Sequence, residues 1–120
     1  MKRLILLALL LLASSAFAQT SHTATLTYTK SSDSTTANPG TVSVYRAVGV
    51  CPASGLGTLT FTMLTSTASP GGTYTDNLPG PGTYCYYLTA TISSATSGPS
   101  NTGGGSANPF PPVLGTVVVQ

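Results

Sequence analysis

Residues 73–91 read Thr73-Tyr74-Thr75-Asp76-Asn77-Leu78-Pro79-Gly80-Pro81-Gly82-Thr83-Tyr84-Cys85-Tyr86-Tyr87-Leu88-Thr89-Ala90-Thr91, and this stretch decides the fold. A short β-prone run ends at Asp76, a turn rich in Gly and Pro follows, and a longer strand with strict alternation begins after it. Leu78 precedes Tyr84 by six positions across that turn. The arrangement predicts a tyrosine corner, in which Tyr84 packs under the crossover and donates its hydroxyl to the backbone near Leu78 or Gly80.

Residues 1–18 have the composition of a secretory signal peptide. Lys2 and Arg3 form a basic start, residues 4–12 are apolar, and Ala16-Phe17-Ala18 is a small-residue cleavage site. The apolar run is shorter than the stretch of about 20 residues that spans a bilayer. We therefore expect cleavage after Ala18, export to the periplasm or the extracellular space, and no membrane insertion of the mature chain.

The mature chain, residues 19–120, is long enough for a single domain with one modest core. The formal charge of the whole chain is +2, and removal of Lys2 and Arg3 reduces it to zero. A neutral domain lacks the basic surface that attracts nucleic acid or anionic lipid. We expect neither as a partner.

Alternation of apolar residues with Thr and Ser predicts strands along most of the mature chain. In one of them Val42 and Val44 face one way, and Ser43 and Tyr45 face the other. The predicted strands are residues 22–29, 41–47, 58–63, 73–76, 83–92 and 113–119. Residues 93–108 have the Ser/Gly-rich composition of a linker, so a Gly/Pro-rich insertion over about residues 98–112 precedes the last strand. Short strands separated by frequent turn signals predict an antiparallel β-sandwich.

Four of these stretches resemble strands of a fibronectin type III domain. Residues 22–28 look like strand B, with Tyr28 where the family usually has its core Trp, and residues 42–46, 74–76 and 84–90 look like strands C, E and F. The resemblance implies an all-β, immunoglobulin-like sandwich. The mature chain begins only three residues before His22, so the family's first strand is expected to be short or missing.

Cys51 and Cys85 are the two cysteines of the chain, and exported proteins mature in an oxidising compartment. We expect them to form a disulfide. Alternation points Cys85 away from the face that carries Tyr84 and Tyr86, which places the bridge on the outer face of its sheet. The competing interpretation, a reactive thiol or a metal-binding pair, lacks a neighbouring His at either position.

Few residues in the mature chain could carry catalysis or bind a metal. His22 is its one imidazole, and no nucleophile-elbow motif accompanies it. Asp33 and Asp76 are its two carboxylates, and both are interpreted as turn-forming residues. Glycosidase chemistry needs a facing acidic pair, and a strong calcium site usually needs several carboxylates. We expect no enzyme activity, no cofactor and no metal site.

Tyr45 and Tyr87 are the candidate ligand contacts. Both are predicted to face outward on adjacent strands, beside the expected disulfide. Exposed aromatic side chains on a sheet can stack on a sugar ring or anchor a protein partner. The alternative is ordinary cross-strand packing over Cys and Thr side chains.

These observations favour a secreted, non-enzymatic module for adhesion, surface binding or envelope assembly, with a protein or glycan ligand at the cell surface. One alternative is a structural subunit that self-associates by strand addition, because residues 22–29 carry no charge to protect a sheet edge. In that case residues 113–119 pair with another copy instead of forming the last strand of their own domain. Another alternative is a carbohydrate-binding module.

Overall fold

The computed structural model of the protein describes residues 21–109, which form two antiparallel sheets. The predicted all-β antiparallel fold is confirmed. The strands are β1 (Thr23–Tyr28), β2 (Thr41–Val48), β3 (Thr62–Ala68), β4 (Gly72–Asn77), β5 (Gly82–Ile92), β6 (Ala95–Thr96) and β7 (Gly103–Ala107).

The smaller sheet consists of β1 and β4, with Thr23 opposite Asn77 and Tyr28 opposite Gly72. In the larger sheet β2 lies between β3 and β5, and the other side of β5 pairs with both β6 and β7. No helix long and apolar enough to cross a membrane occurs in this part of the chain.

The core lies between the two sheets and follows the alternation of the sequence. Val42 and Val44 from β2 are buried there together with Tyr84 and Tyr86 from β5. Leu78 joins them from the crossover between β4 and β5. Partly buried apolar residues complete the cluster: Ala24, Leu26, Tyr28, Leu64, Ala68, Tyr74, Leu88 and Ala107.

The third strand lies further along the chain than the sequence predicts. It covers Thr62–Ala68 instead of residues 58–63, and it contributes Leu64 and Ala68 to the core cluster. Residues before it serve other contacts, because Leu59 packs over Gly49 and Phe61 reaches the ring of Tyr87. Leu59 and Phe61 therefore precede the strand, and of the three apolar residues only Met63 lies within it.

The Ser/Gly-rich composition of residues 93–108 predicts a linker, and that prediction is wrong for part of the stretch. They contain β6 and β7, and Ser97 and Ser100 donate backbone N–H groups to the carbonyls of Ala90 and Leu88. Pairing at a sheet edge uses the backbone alone, so a Gly-rich segment can form a strand despite its low intrinsic preference. Residues 113–119, the predicted last strand, lie outside the described residues.

Candidate functional site

Tyr45, Phe61, Met63 and Tyr87 form one patch on the outer side of the larger sheet, which we call the aromatic face. Tyr45 lies opposite Tyr87 on β5 and opposite Met63 on β3. The Tyr45 and Tyr87 rings stack with centroids 4.5 Å apart and planes 4° from parallel. Phe61 meets the Tyr87 ring edge-on at 4.8 Å. The sheet thus brings together the two tyrosines that the sequence singles out and adds two residues that it does not.

The stacking decides what the aromatic face can present to a ligand. Tyr45 and Tyr87 turn ring faces toward each other, so those faces are taken by an intramolecular contact. Burial, followed by the charge interaction with Tyr45, raises the pKa of Tyr87. Met63 is 53% exposed, so the face ends in an accessible thioether. Stacking covers one side of each ring, and Met63 adds a flexible side chain to this face.

The predicted disulfide between Cys51 and Cys85 is present, with 5.1 Å between the two Cα atoms. Cys85 is fully buried, although its side chain points to the opposite face of β5 from the core residues Tyr84 and Tyr86. Gly104 of β7 lies close to the bridge: a Cβ at Gly104 would be 3.0 Å from the Cys51 sulfur and 3.2 Å from the Cys85 Cα. The bridge therefore ties the loop after β2 to β5 beneath the backbone of β7.

Tyr84 occupies the corner between the crossover and β5. Its hydroxyl donates to the carbonyl oxygen of Gly80 at 2.8 Å, which is the contact that the sequence predicts for this residue. Leu78 is buried in the same cluster. The guanidinium of Arg46 lies 5.7 Å from the centroid of the Tyr84 ring, within the range of a cation–π contact.

Asp76 is not a turn residue, which corrects the interpretation made from the sequence. It lies within β4, is 5% exposed, and accepts from Arg46 Nη1 at both carboxylate oxygens, at 3.0 and 2.8 Å. The hydroxyl of Tyr86 donates to the Oδ2 atom of Asp76 at 2.7 Å. These bonds connect β4 in one sheet to β2 and β5 in the other. The hydrogen bond to Asp76 raises the pKa of Arg46. Burial, followed by the hydrogen bond to Asp76, raises the pKa of Tyr86.

The positions of Arg46 and Asp76 in their strands are a sequence signal for this network, which composition alone does not show. Arg46 follows Val42 and Val44 at the same two-residue spacing, so alternation directs it toward the core. Asp76 likewise lies two residues after Tyr74, which packs against the core. Two opposite charges at core-facing positions of two predicted strands indicate a buried pair, because an unpaired buried charge is very costly.

The remaining candidates for chemistry do not converge on one site. Asp33 lies in a turn closed by the Ser34 N–H and the Ser31 carbonyl. His22 precedes β1, and its carbonyl oxygen accepts from the N–H of Leu78. Within residues 21–109 no group of three His, Cys, Asp or Glu side chains could hold a metal ion.

A cleft of about 1080 Å³ opens between the two sheets along β1. One wall is β1 itself, and the other is formed by β5, residues 97–101 and β7. Leu26 and Leu88 belong to the core cluster yet are only half-buried, and both line the cleft. Among the described residues, the core is therefore open on this side.

Comparison with known proteins identifies no relative: no protein-family model, no curated protein and no solved structure matches this chain.

Proposed function

We propose that the protein is an exported, non-enzymatic binding module of the fibronectin type III kind, acting in adhesion, surface binding or envelope assembly. The strand order supports the family part of this proposal. β1 pairs with β4, as strands B and E would, and β2 pairs with β5, as strands C and F would. The bond from the Tyr84 hydroxyl to Gly80 is in keeping with the corner of such a domain.

Export is supported by the N-terminal sequence and by the disulfide. A basic start, a short apolar run and Ala16-Phe17-Ala18 are typical of a cleaved signal peptide. Disulfides such as Cys51–Cys85 persist in oxidising compartments. Both observations point away from the cytoplasm.

The non-enzymatic part of the proposal is supported by how the reactive groups are engaged. Both carboxylate oxygens of Asp76 accept hydrogen bonds from Arg46, and Tyr86 adds a further one. Cys51 and Cys85 are joined to each other. Asp76 and the two cysteines therefore hold the domain together.

The observation that carries the binding role is the aromatic face. Three aromatic rings and one exposed Met lie together on three neighbouring segments, held by stacked and edge contacts. Tyr and Met are favoured at the centres of protein interfaces, where rigid rings bury area at low entropic cost. Since the inner ring faces of Tyr45 and Tyr87 are occupied by each other, a protein partner suits this surface better than a sugar ring.

The experiment compares retention of the labelled mature domain on intact cells of the organism that encodes it. Tyr45→Thr combined with Met63→Thr removes the exposed part of the aromatic face and keeps β-favouring residues in both strands. Thr75→Ala on the exposed face of β4 is the matched control. We expect the apparent Kd to rise at least about tenfold for the double variant and to stay unchanged for the control.

Thermal unfolding of each variant must show that it is folded under the assay conditions. Saturable retention that the double variant leaves unchanged would exclude the aromatic face as the binding surface. Binding to a glycan array that is lost in Tyr87→Ala would instead favour the carbohydrate-binding alternative.

A second candidate function is that of a structural subunit that self-associates by strand addition. The observation that favours it is β1, which is an edge strand among residues 21–109; its residues Thr23–Tyr28 carry no charge and border the cleft. Light scattering separates the two functions, because strand addition gives a mass that grows with protein concentration, whereas a binding module stays monomeric.

A further inference from the structure

The strands β2 and β5 hold Tyr45 and Tyr87 in a fixed stack. Every residue of β2 pairs with β5 without a register shift, and Tyr45 lies opposite Tyr87 within this ladder. A register set by so many consecutive pairs on a partly buried sheet does not slip easily. The ring centroids are 4.5 Å apart, at the short end of the range of about 4.5–7 Å for aromatic pairs. The backbone therefore keeps the two rings in close contact.

Neighbouring side chains restrict this pair further. Phe61 contacts the Tyr87 ring with centroids 4.8 Å apart and planes at 76°. Cys85 lies two residues before Tyr87 on the same face of β5, and its bond to Cys51 anchors this part of the strand. Both tyrosines are half-buried. The two phenol rings are thus positioned relative to each other before any reaction begins.

The hydroxyl-bearing ends of the two rings lie on the same side of the stack. Opposite residues of antiparallel strands project from the same face of a sheet, so Tyr45 and Tyr87 leave the sheet in the same direction. After burial, the charge interaction with Tyr45 raises the pKa of Tyr87, which agrees with two hydroxyls close together. The ring carbons beside each hydroxyl are therefore neighbours across the stack.

Oxidative coupling of two phenols needs this arrangement. Removal of one electron and one proton from each phenol gives two tyrosyl radicals, whose unpaired electron is partly on the ring carbons beside the oxygen. Two such carbons bond through the faces of their rings, which is how stacked rings meet. Each bonded carbon then passes its hydrogen to the oxygen of its own ring, so the biphenol product has lost two hydrogen atoms in all. Hydrogen peroxide, reduced to water by a haem peroxidase, accepts these two electrons and two protons.

We propose that Tyr45 and Tyr87 form an oxidative cross-linking site, at which a peroxidase and hydrogen peroxide join the two rings by a carbon–carbon bond into an intramolecular dityrosine. Coupling within the stacked pair is faster than coupling between chains, because fixed proximity acts as a very high effective concentration. The new bond ties β2 to β5 on the face that also carries Cys85. The inference does not depend on the binding role of the aromatic face.

Peptide mapping of the mature protein tests the cross-link after treatment of a dilute sample with a haem peroxidase and hydrogen peroxide. The monomer fraction is isolated under denaturing conditions, reduced and digested with trypsin. Trypsin cuts after Lys and Arg, so Tyr45 becomes the one tyrosine of peptide 31–46, whereas Tyr87 and both cysteines fall in peptide 47–120. We expect these two peptides to remain joined, with two hydrogen atoms lost and with dityrosine fluorescence. Fragmentation in the mass spectrometer should place the second end of the link at Tyr87.

Tyr45→Phe and Tyr87→Phe each keep an aromatic ring in the stack but remove a phenol, so dityrosine in the monomer fraction should fall at least about tenfold. Tyr74→Phe is the matched control, because Tyr74 is a half-buried tyrosine of the other sheet, and it should couple like the wild type. Dityrosine found only in dimers, or a monomer linked at other tyrosines with peptide 31–46 released, overturns the proposal. Absence of dityrosine from the wild type, while free tyrosine couples in a parallel reaction, also overturns it.

Discussion

The buried charge network shows how single residues join the two sheets. Asp76 receives three hydrogen bonds from two residues of the opposite sheet, so its charge is compensated although it is 5% exposed. Replacing a buried ion pair by apolar residues can be harmless, but removing one partner leaves an uncompensated charge. The network is therefore most sensitive to a change at one of its members.

Asp76→Asn should lower the free energy of unfolding by about 3 kcal/mol, because Arg46 loses its counter-charge in a largely buried site. Asp33→Asn is the matched control, since Asp33 is exposed in a turn and such changes usually stay within about 0.5 kcal/mol. Urea unfolding of both variants measures the difference. Equal stability of the two variants would show that the ion pair contributes nothing.

Tyr86 makes stability depend on pH at the alkaline end. Its raised pKa means that the folded state holds the phenolic proton to higher pH than the unfolded state, where the pKa is about 10. The stability from this group is complete below about pH 10 and is lost as the pH rises toward the folded pKa. The urea midpoint should therefore fall more steeply above pH ~10 in the wild type than in Tyr86→Phe.

A residual slope is expected in that variant, because the pKa values of Tyr28 and Tyr87 are also raised by burial. Phenolate absorbance recorded along the same titration gives the ionisation directly. Parallel pH profiles for wild type and Tyr86→Phe would contradict the role assigned to this hydroxyl.

Among the elements, β7 is a strand with the Gly-rich composition of a linker. Its sequence is Gly103-Gly104-Gly105-Ser106-Ala107, and the reason for one of these glycines is steric. A Cβ at Gly104 would collide with the Tyr84 carbonyl oxygen and crowd the Cys51 sulfur, whereas Gly103 and Gly105 have open space. The strand can approach the disulfide only because Gly104 has no side chain.

Gly104→Ala should destabilise the domain, because β7 must move away from β5 to accommodate the methyl group. We expect a loss of about 1–3 kcal/mol, the usual range for overpacking. Gly103→Ala and Gly105→Ala test the same chemistry without the collision and should be neutral or slightly stabilising. Thermal unfolding of the three variants compares them, and equal effects at all three positions would refute the steric explanation.

At the scale of the whole molecule the disulfide compensates for a small and open core. It links residues 34 positions apart and anchors the loop after β2 to β5, the strand that pairs with β2, β6 and β7. Closing a loop of this length stabilises a fold by about 3–4 kcal/mol in the chain-entropy model. For a domain of this size that is a large share of the total.

Reduction of the bridge, or the double change Cys51→Ala/Cys85→Ala, should lower the Tm by about ten degrees or more. Calorimetry of the mature protein with and without reductant measures the shift. The double variant also separates stability from binding, since the aromatic face does not include either cysteine. An unchanged Tm would mean that strand pairing alone holds the loop.

The sequence by itself predicts the antiparallel all-β fold, the disulfide and the residues that stack on the outer face, because each depends on alternation or on residue type. Tyr84 is recognisable as the corner residue since its contact with Gly80 is local in the chain. The pairing of Arg46 with Asp76, the strand at Gly103–Ala107 and the start of the third strand at Thr62 depend on contacts between distant segments. Composition could not predict them. A charge is stable in the protein interior only opposite its partner, and a Gly-rich strand forms only where the backbone of a neighbouring strand has hydrogen-bonding groups left to pair. The tertiary structure therefore decides both.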